Sequence, residues 1–198
     1  MAETGVSNDF VAKHWQHFPE WQVARAFIPE PTRDRAFDWL ALQHEWLQAD
    51  LIEEAIPRQA KLAWWSEELR GWSRGMRRHP LGMHLQAASN RWAELADALS
   101  SPLDIRGLAR VIALVESDWH GLPVREDLVL AILLAEQDVL AKRSVASVMP
   151  EIDGSPRIMA MRSAILSARS KRVGDAVSQP AHPLKALLIC WSAARKSN

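Results

Sequence analysis

The sequence predicts an all-α fold. Three observations carry it: apolar residues recur at helical spacing, the breaks between periodic stretches are short and contain proline or glycine, and no alternating strand pattern runs through the 198 residues. With 48% hydrophobic and 24% charged residues the chain matches an ordinary globular protein, long enough to bury a substantial core.

The elements follow in order. Asn8–Phe18 reads as a first helix, stopped at Pro19, and Glu20–Ile28 as a second. Pro29-Glu-Pro31 is a break, and Thr32 is placed to cap the next helix. That helix runs to about Leu51, with Phe37, Leu40, Ala41, Leu47 and Leu51 at helical spacing, and Ile52–Ala55 forms a joint. Pro57 suits the first turn of a helix that Gly71 and Gly75 weaken at its end. Arg77–His79 is a turn, and Pro80 opens a helix to about Leu99. After Ser100–Pro102, helices are expected over Asp104–Ser117 and Pro123–Val148. Met149–Pro156 is the clearest loop, followed by a basic helix over Arg157–Gly174, a loop over Asp175–Pro183 and a last helix over Pro183–Arg195. Eight or nine helices with short connections make one packed helical domain over residues 1–198.

Charge and cysteine content narrow the function classes. Lys plus Arg and Asp plus Glu number 24 each, so no global field draws the chain to nucleic acid. Cys190 is the lone cysteine, which excludes an intrachain disulfide and fits a reducing, cytoplasmic setting. The first residues lack the basic and apolar regions of a secretory leader. The longest apolar run, near Leu128–Ala135, is too short to span a bilayer, which leaves peripheral membrane contact open. Ten Trp and no Tyr suggest either a wide interior lined by flat side chains or simple core filling.

The helix opened by Pro57 carries the most informative face. Lys61, Trp65, Glu68 and Trp72 stand at i, i+4, i+7 and i+11, and Trp64 is adjacent to both Lys61 and Glu68 by spacing. An acid and a base on a tryptophan-rich face read either as the wall of a ligand cavity or as a packing face whose charged ends snorkel to water.

Within Phe27–Leu85 an ordered set of features joins this face. Phe27 and Pro29 end an early helix, and Phe37-Asp-Trp-Leu-Ala-Leu42 follows. Then come Lys61-Leu-Ala-Trp-Trp-Ser-Glu-Glu-Leu69, Gly75 and His79-Pro80-Leu81. This stretch resembles the squalene/phytoene synthase family, and Leu134-Ala-Glu136 is weakly similar to a later family segment. The resemblance implies an isoprenoid-synthase-like helical bundle, here shortened at the C-terminus. In active members two aspartate-rich motifs hold Mg²⁺ against a departing diphosphate, and an apolar aromatic cavity shields the carbocation.

The chain departs from that pattern where the chemistry sits. Leu47, Gln48 and Leu51 stand where the first motif has aspartates, and Glu45 and Asp50 lie on different faces. The second motif has no counterpart, and Glu136-Gln-Asp138 has a different spacing. Retained Glu45 and Glu136 are instead similar to the branch of the family that resembles the mitochondrial assembly factor for respiratory complex I. By this resemblance Glu45, Lys61, Trp65, Glu68, Trp72 and Glu136 are the candidate cavity and ligand-binding residues, with no metal ligands and no cofactor.

Other chemistry is sparse. His14 and His17 stand at i, i+3 without a third ligand nearby, and read as surface histidines. Cys190 sits in an apolar run, as an inert buried thiol does. Arg157, Arg162, Arg169, Lys171 and Arg172 make one helix basic, either as a solvated face or as a surface for a diphosphate or lipid headgroups.

The expectation is a catalytically degenerate squalene/phytoene-synthase-like protein that binds an isoprenoid or other lipid, or a protein partner. Two alternatives stand beside it. One is an active prenyltransferase in which Glu45, Glu68 and Glu136 converge on Mg²⁺. The other is a structural or assembly protein whose tryptophans fill the core.

Overall fold

The computed structural model describes residues 3–99, 102–146, 149–150, 152, 154–170 and 181–196. Among the described residues all regular structure is helical: α1 (Glu3–His17), α2 (Glu20–Ala24), α3 (Glu30–Asp50), α4 (Ala55–Ser73), α5 (Gly82–Leu85), α6 (Trp92–Ala98), α7 (Ile105–His120), α8 (Glu126–Leu140), α9 (Arg157–Ser170) and α10 (Pro183–Lys196). Two 3-10 turns, Arg25–Phe27 and Gln86–Ala88, extend α2 and α5.

The packing forms two rings that share the contact between α3 and α8. One ring runs α3, α4, α6, α7, α8, and the other α3, α8, α9, α10, α2, α1. The long helix α3 is therefore central, and every residue from Phe37 to Leu47 is buried. A helix surrounded by others has no solvent face. Its polar residues Asp38, Gln43, His44 and Glu45 are buried with the rest.

Local chemistry explains several boundaries. Asp104 accepts the backbone N–H of Gly107 at 2.9 Å and caps α7, which ends at Gly121 in the left-handed region at φ +66°. Gly75, at φ +80°, follows the end of α4. Arg74 and Met76 both donate to the carbonyl of Gly71, which closes that helix end.

Other boundaries differ from expectation. α3 begins at Glu30, with Pro29 at the N-cap position and Pro31 in the first turn. Thr32 is thus inside the helix, and its hydroxyl donates back to the Pro29 carbonyl at 3.1 Å. Proline needs no partner for its absent N–H in a first turn, so Pro31 starts the helix rather than preventing it. The single helix expected from Pro80 to Leu99 is two, because Ser89 is extended at φ −145°, ψ 152° and separates α5 and its 3-10 turn from α6. α8 stops at Leu140, where Arg143 donates its N–H to the Asp138 carbonyl and Lys142 takes φ 54°. The helix expected to reach Gly174 is described to Ser170, and the rest of that segment and most of the loop after it lie outside the described residues.

Tryptophan fills the first ring. Trp39 meets Trp46, Trp92 and Trp119 edge-on at 5.9, 6.2 and 5.0 Å, and Trp72 meets Trp92 at 4.9 Å. Edge-to-face contact at these separations is favourable for quadrupolar rings.

Candidate functional site

Three helices bring together the first group of candidate residues. Glu45, buried on α3, accepts from Lys13 of α1 at 2.6 Å, and Lys61 of α4 stands at 3.7 Å from its other oxygen. Both lysines are half-exposed, so they reach inward from the surface to neutralise one buried carboxylate. Lys61 thus pairs with Glu45 of another helix.

Glu68 is fully buried and does not reach water. It accepts Trp72 Nε1 and the backbone N–H groups of Arg78 and His79, all at 2.8 Å, and the Arg78 Nε at 3.0 Å. Burial alone raises a carboxyl pKa, but these donors outweigh it, and the Glu68 carboxyl lies below its ordinary value. Three of its four donors, from Arg78 and His79, pin the turn after α4 to the helix. Trp72 and Trp65 are core residues of the same wall: Trp65 packs against His79 at 4.7 Å. Burial is also the main cause that lowers the His79 imidazole to about 4.

Glu136 of α8 forms a two-pronged pair with Arg162 of α9, at 3.0 and 2.8 Å, and both are buried. A second such pair joins Glu20 to Arg169 at 3.1 and 2.7 Å. Arg162 and Arg169 therefore belong to the interior. The solvated or anion-binding face expected of them is corrected: each finds a carboxylate on another helix, which makes burial of a guanidinium tolerable.

The three carboxylates thus answer to separate partners: Glu45 to lysines, Glu68 to a loop, Glu136 to an arginine. Among the described residues no group of three His, Cys, Asp or Glu is placed to hold a metal ion.

Between α1 and α3 lies a layer the sequence did not reveal. His14 is fully buried, which corrects the surface reading, and its ring lies 5.3 Å from His44 and close to Phe18. His17 lies 5.0 Å from His44. Among the described residues, both ring nitrogens of His44, Nδ1 of His14 and the whole amide of Gln43 have no hydrogen-bond partner. Burial, then the charges of His17 and Lys13, lower His44 to about 3. Burial, His44 and Arg162 place His14 well below its ordinary value, so both rings are neutral in the fold.

An open cleft of about 280 Å³ lies elsewhere, between the first half of α3, the end of α7 and the start of α9. Ile28, Pro29, Ala36, Trp39, Trp119 and Ile158 make its apolar walls. Glu116, buried, accepts Trp39 Nε1 at 2.7 Å and stands 3.1 Å from His120 Nε2. Arg35 lies over the Trp119 ring at 5.1 Å, and Arg157, from the start of α9, also lines the cleft. The arrangement can hold an anion at two guanidinium groups beside a flat apolar body, with a carboxylate–imidazole pair at its edge. From sequence, Pro29 entered only as a helix break and, with Trp39, through the family resemblance, and Arg157 only as part of a basic helix; none was placed in a cleft. The available signal was Glu116, a charged residue in line with Leu108, Ile112 and Val115 on the buried stripe of α7.

Cys190 is buried, and burial followed by the charge of Glu20 pushes its thiol up to about 12. No helix among the described residues is long and apolar enough to cross a membrane. No protein-family model matches the chain, and neither a curated protein nor a solved structure matches it.

Proposed function

We propose that this chain is a squalene/phytoene-synthase-like helical protein without prenyl-transfer chemistry, which binds an isoprenoid or related lipid with an anionic head and does so without metal. The observation that carries this reading is the separate neutralisation of Glu45, Glu68 and Glu136. Metal-assisted ionisation of a diphosphate needs carboxylates free to hold Mg²⁺. To serve as ligands here, they would have to release Lys13, Arg78 and Arg162. Breaking a buried pair such as Glu136–Arg162 costs about 3–5 kcal/mol. That weighs against the alternative of an active prenyltransferase with an altered metal site.

The cleft supplies the binding chemistry in place of the metal. Arg35 and Arg157 meet the anionic head, while Trp39, Trp119, Ile28 and Ile158 cover the adjoining apolar part. Its volume of about 280 Å³ is at the lower edge of pockets that enclose a whole ligand, so the ligand enters by one end. The reading as an assembly protein with a filled core draws support from one observation: Trp21, Trp39, Trp46, Trp65 and Trp92 are all fully buried.

Equilibrium binding of radiolabelled farnesyl diphosphate in excess EDTA tests the proposal. Binding is expected in wild type and is weakened by at least about tenfold in Arg35→Ala with Arg157→Ala, since each charged hydrogen bond contributes about 1.5–3 kcal/mol. Binding that needs Mg²⁺, accompanied by release of diphosphate, overturns the proposal in favour of the transferase. No binding in either condition favours the filled-core reading.

A further inference from the structure

α10 packs against α9 and α2 through Ala186, Cys190 and Ala193, which are buried. Its other face is apolar and open. Leu184 is 66% exposed, Leu188 63% and Trp191 47%, and Leu187 stands beside them. At i, i+4 and i+7 the first three form one ridge along the helix. Exposed apolar residues in a contiguous row on a helix mark a contact surface.

Charge identifies the partner. Residues 176–198 contain no Asp or Glu, while Lys185, Arg195 and Lys196 all lie on α10. Arg195 lies over the Trp191 ring at 4.8 Å, so a cation sits directly at the apolar ridge. Along one flank of the ridge runs an open groove between α9 and α10, with Lys185 and Lys196 at its sides and Leu188 and Ile189 on its α10 wall. Leucine and tryptophan on one side of a short helix, flanked by lysine and arginine with no acid, is the pattern of a helix lying in the headgroup layer of a bilayer.

We infer that the exposed face of α10 docks this protein on an anionic lipid surface, with Leu184, Leu188 and Trp191 entering the interface and Lys185, Arg195 and Lys196 meeting lipid phosphates. The docking is peripheral, as α10 is too short to span. This surface shares no residue with the α3–α7–α9 cleft, so docking and ligand capture fail independently.

Co-sedimentation with vesicles tests the inference. The wild-type chain is expected to sediment with phosphatidylcholine–phosphatidylglycerol vesicles, less with phosphatidylcholine alone, and less as salt rises. Lys185→Gln and Lys196→Gln each reduce partition about fivefold. Leu188→Ser with Trp191→Ser removes it, while the thermal midpoint stays that of wild type because both side chains are exposed. Brominated lipid quenches wild-type fluorescence more than that of Trp191→Phe. Absence of wild-type binding to anionic vesicles overturns the inference, as does binding unchanged by the lysine and apolar variants. A concentration-dependent dimer that Leu188→Ser dissolves, without vesicle binding, also overturns it and assigns the face to a second copy.

Discussion

Acidification below pH 6.5 should destabilise this protein through its buried histidines. His44 has an ordinary value of 6.5 and is held at about 3 in the fold. The unfolded chain therefore takes up a proton that the folded chain refuses. Stability attributable to this group is complete above 6.5 and is lost as pH falls toward 3. The slope is about 1.4 kcal/mol per pH unit for each such group. At about pH 5, His44 has given up about 2 kcal/mol. His79, held at about 4, loses a similar amount over the same interval. Together they remove about 4 kcal/mol of a total that is about 5–15 kcal/mol for a typical domain, and His14 adds to the loss in the same direction. Urea unfolding followed by circular dichroism between about pH 7 and about pH 5 measures this, since the linear extrapolation gives the stability at each pH. In His44→Leu the slope should fall by about 1.4 kcal/mol per unit, because the imidazole that resists protonation is gone. Stability that stays flat across this interval, or a His44→Leu slope equal to that of wild type, would show that buried neutral histidines do not set the acid response.

Other perturbations probe the packing directly. Glu136→Ala leaves Arg162 buried and unpaired and should cost about 3–5 kcal/mol in urea unfolding, whereas Glu136→Met with Arg162→Met should recover most of it. Gly82→Ala places a Cβ 2.9 Å from the Trp72 ring and should lower stability by about 1–3 kcal/mol, read as a reduced thermal midpoint. Cys190 should be unreactive toward a disulfide reagent in the folded protein at neutral pH and react at the ordinary thiol rate in denaturant.

Helix type was legible from periodicity, and the ends best predicted were those set by local chemistry. Pro57 in α4, Asp104 before α7 and Pro183 at α10 act within one turn of chain, so sequence alone conveys them. Thr32 misled because a cap residue next to a proline break has two local solutions, and the helix took Pro31 into its first turn. The long-range choices were not legible. Arg162 finds Glu136 at a separation of 26 residues and Arg169 finds Glu20 at 149, and no periodic pattern encodes such a pairing. The same holds for Lys61, whose partner Glu45 comes from α3. α3 itself hides its environment: a helix buried all round carries His44, Gln43 and Glu45 among its leucines, and a period-based reading assigns such residues to a wet face. The cleft was missed because its walls come from three helices, although Glu116 on a buried stripe was visible as an anomaly.

A calorimetric and thermal-shift titration with farnesyl and geranylgeranyl diphosphate, with and without Mg²⁺, shows whether ligand capture depends on metal. A ligand that binds the folded state raises its stability by mass action, so the thermal midpoint reports binding without assuming turnover. Equal stabilisation is expected in Mg²⁺ and in EDTA, and a smaller one in Arg35→Ala with Arg157→Ala. Stabilisation only in the presence of Mg²⁺ would contradict metal-free capture, and would mean that Glu45, Glu68 and Glu136 exchange their cations for a metal when a diphosphate arrives.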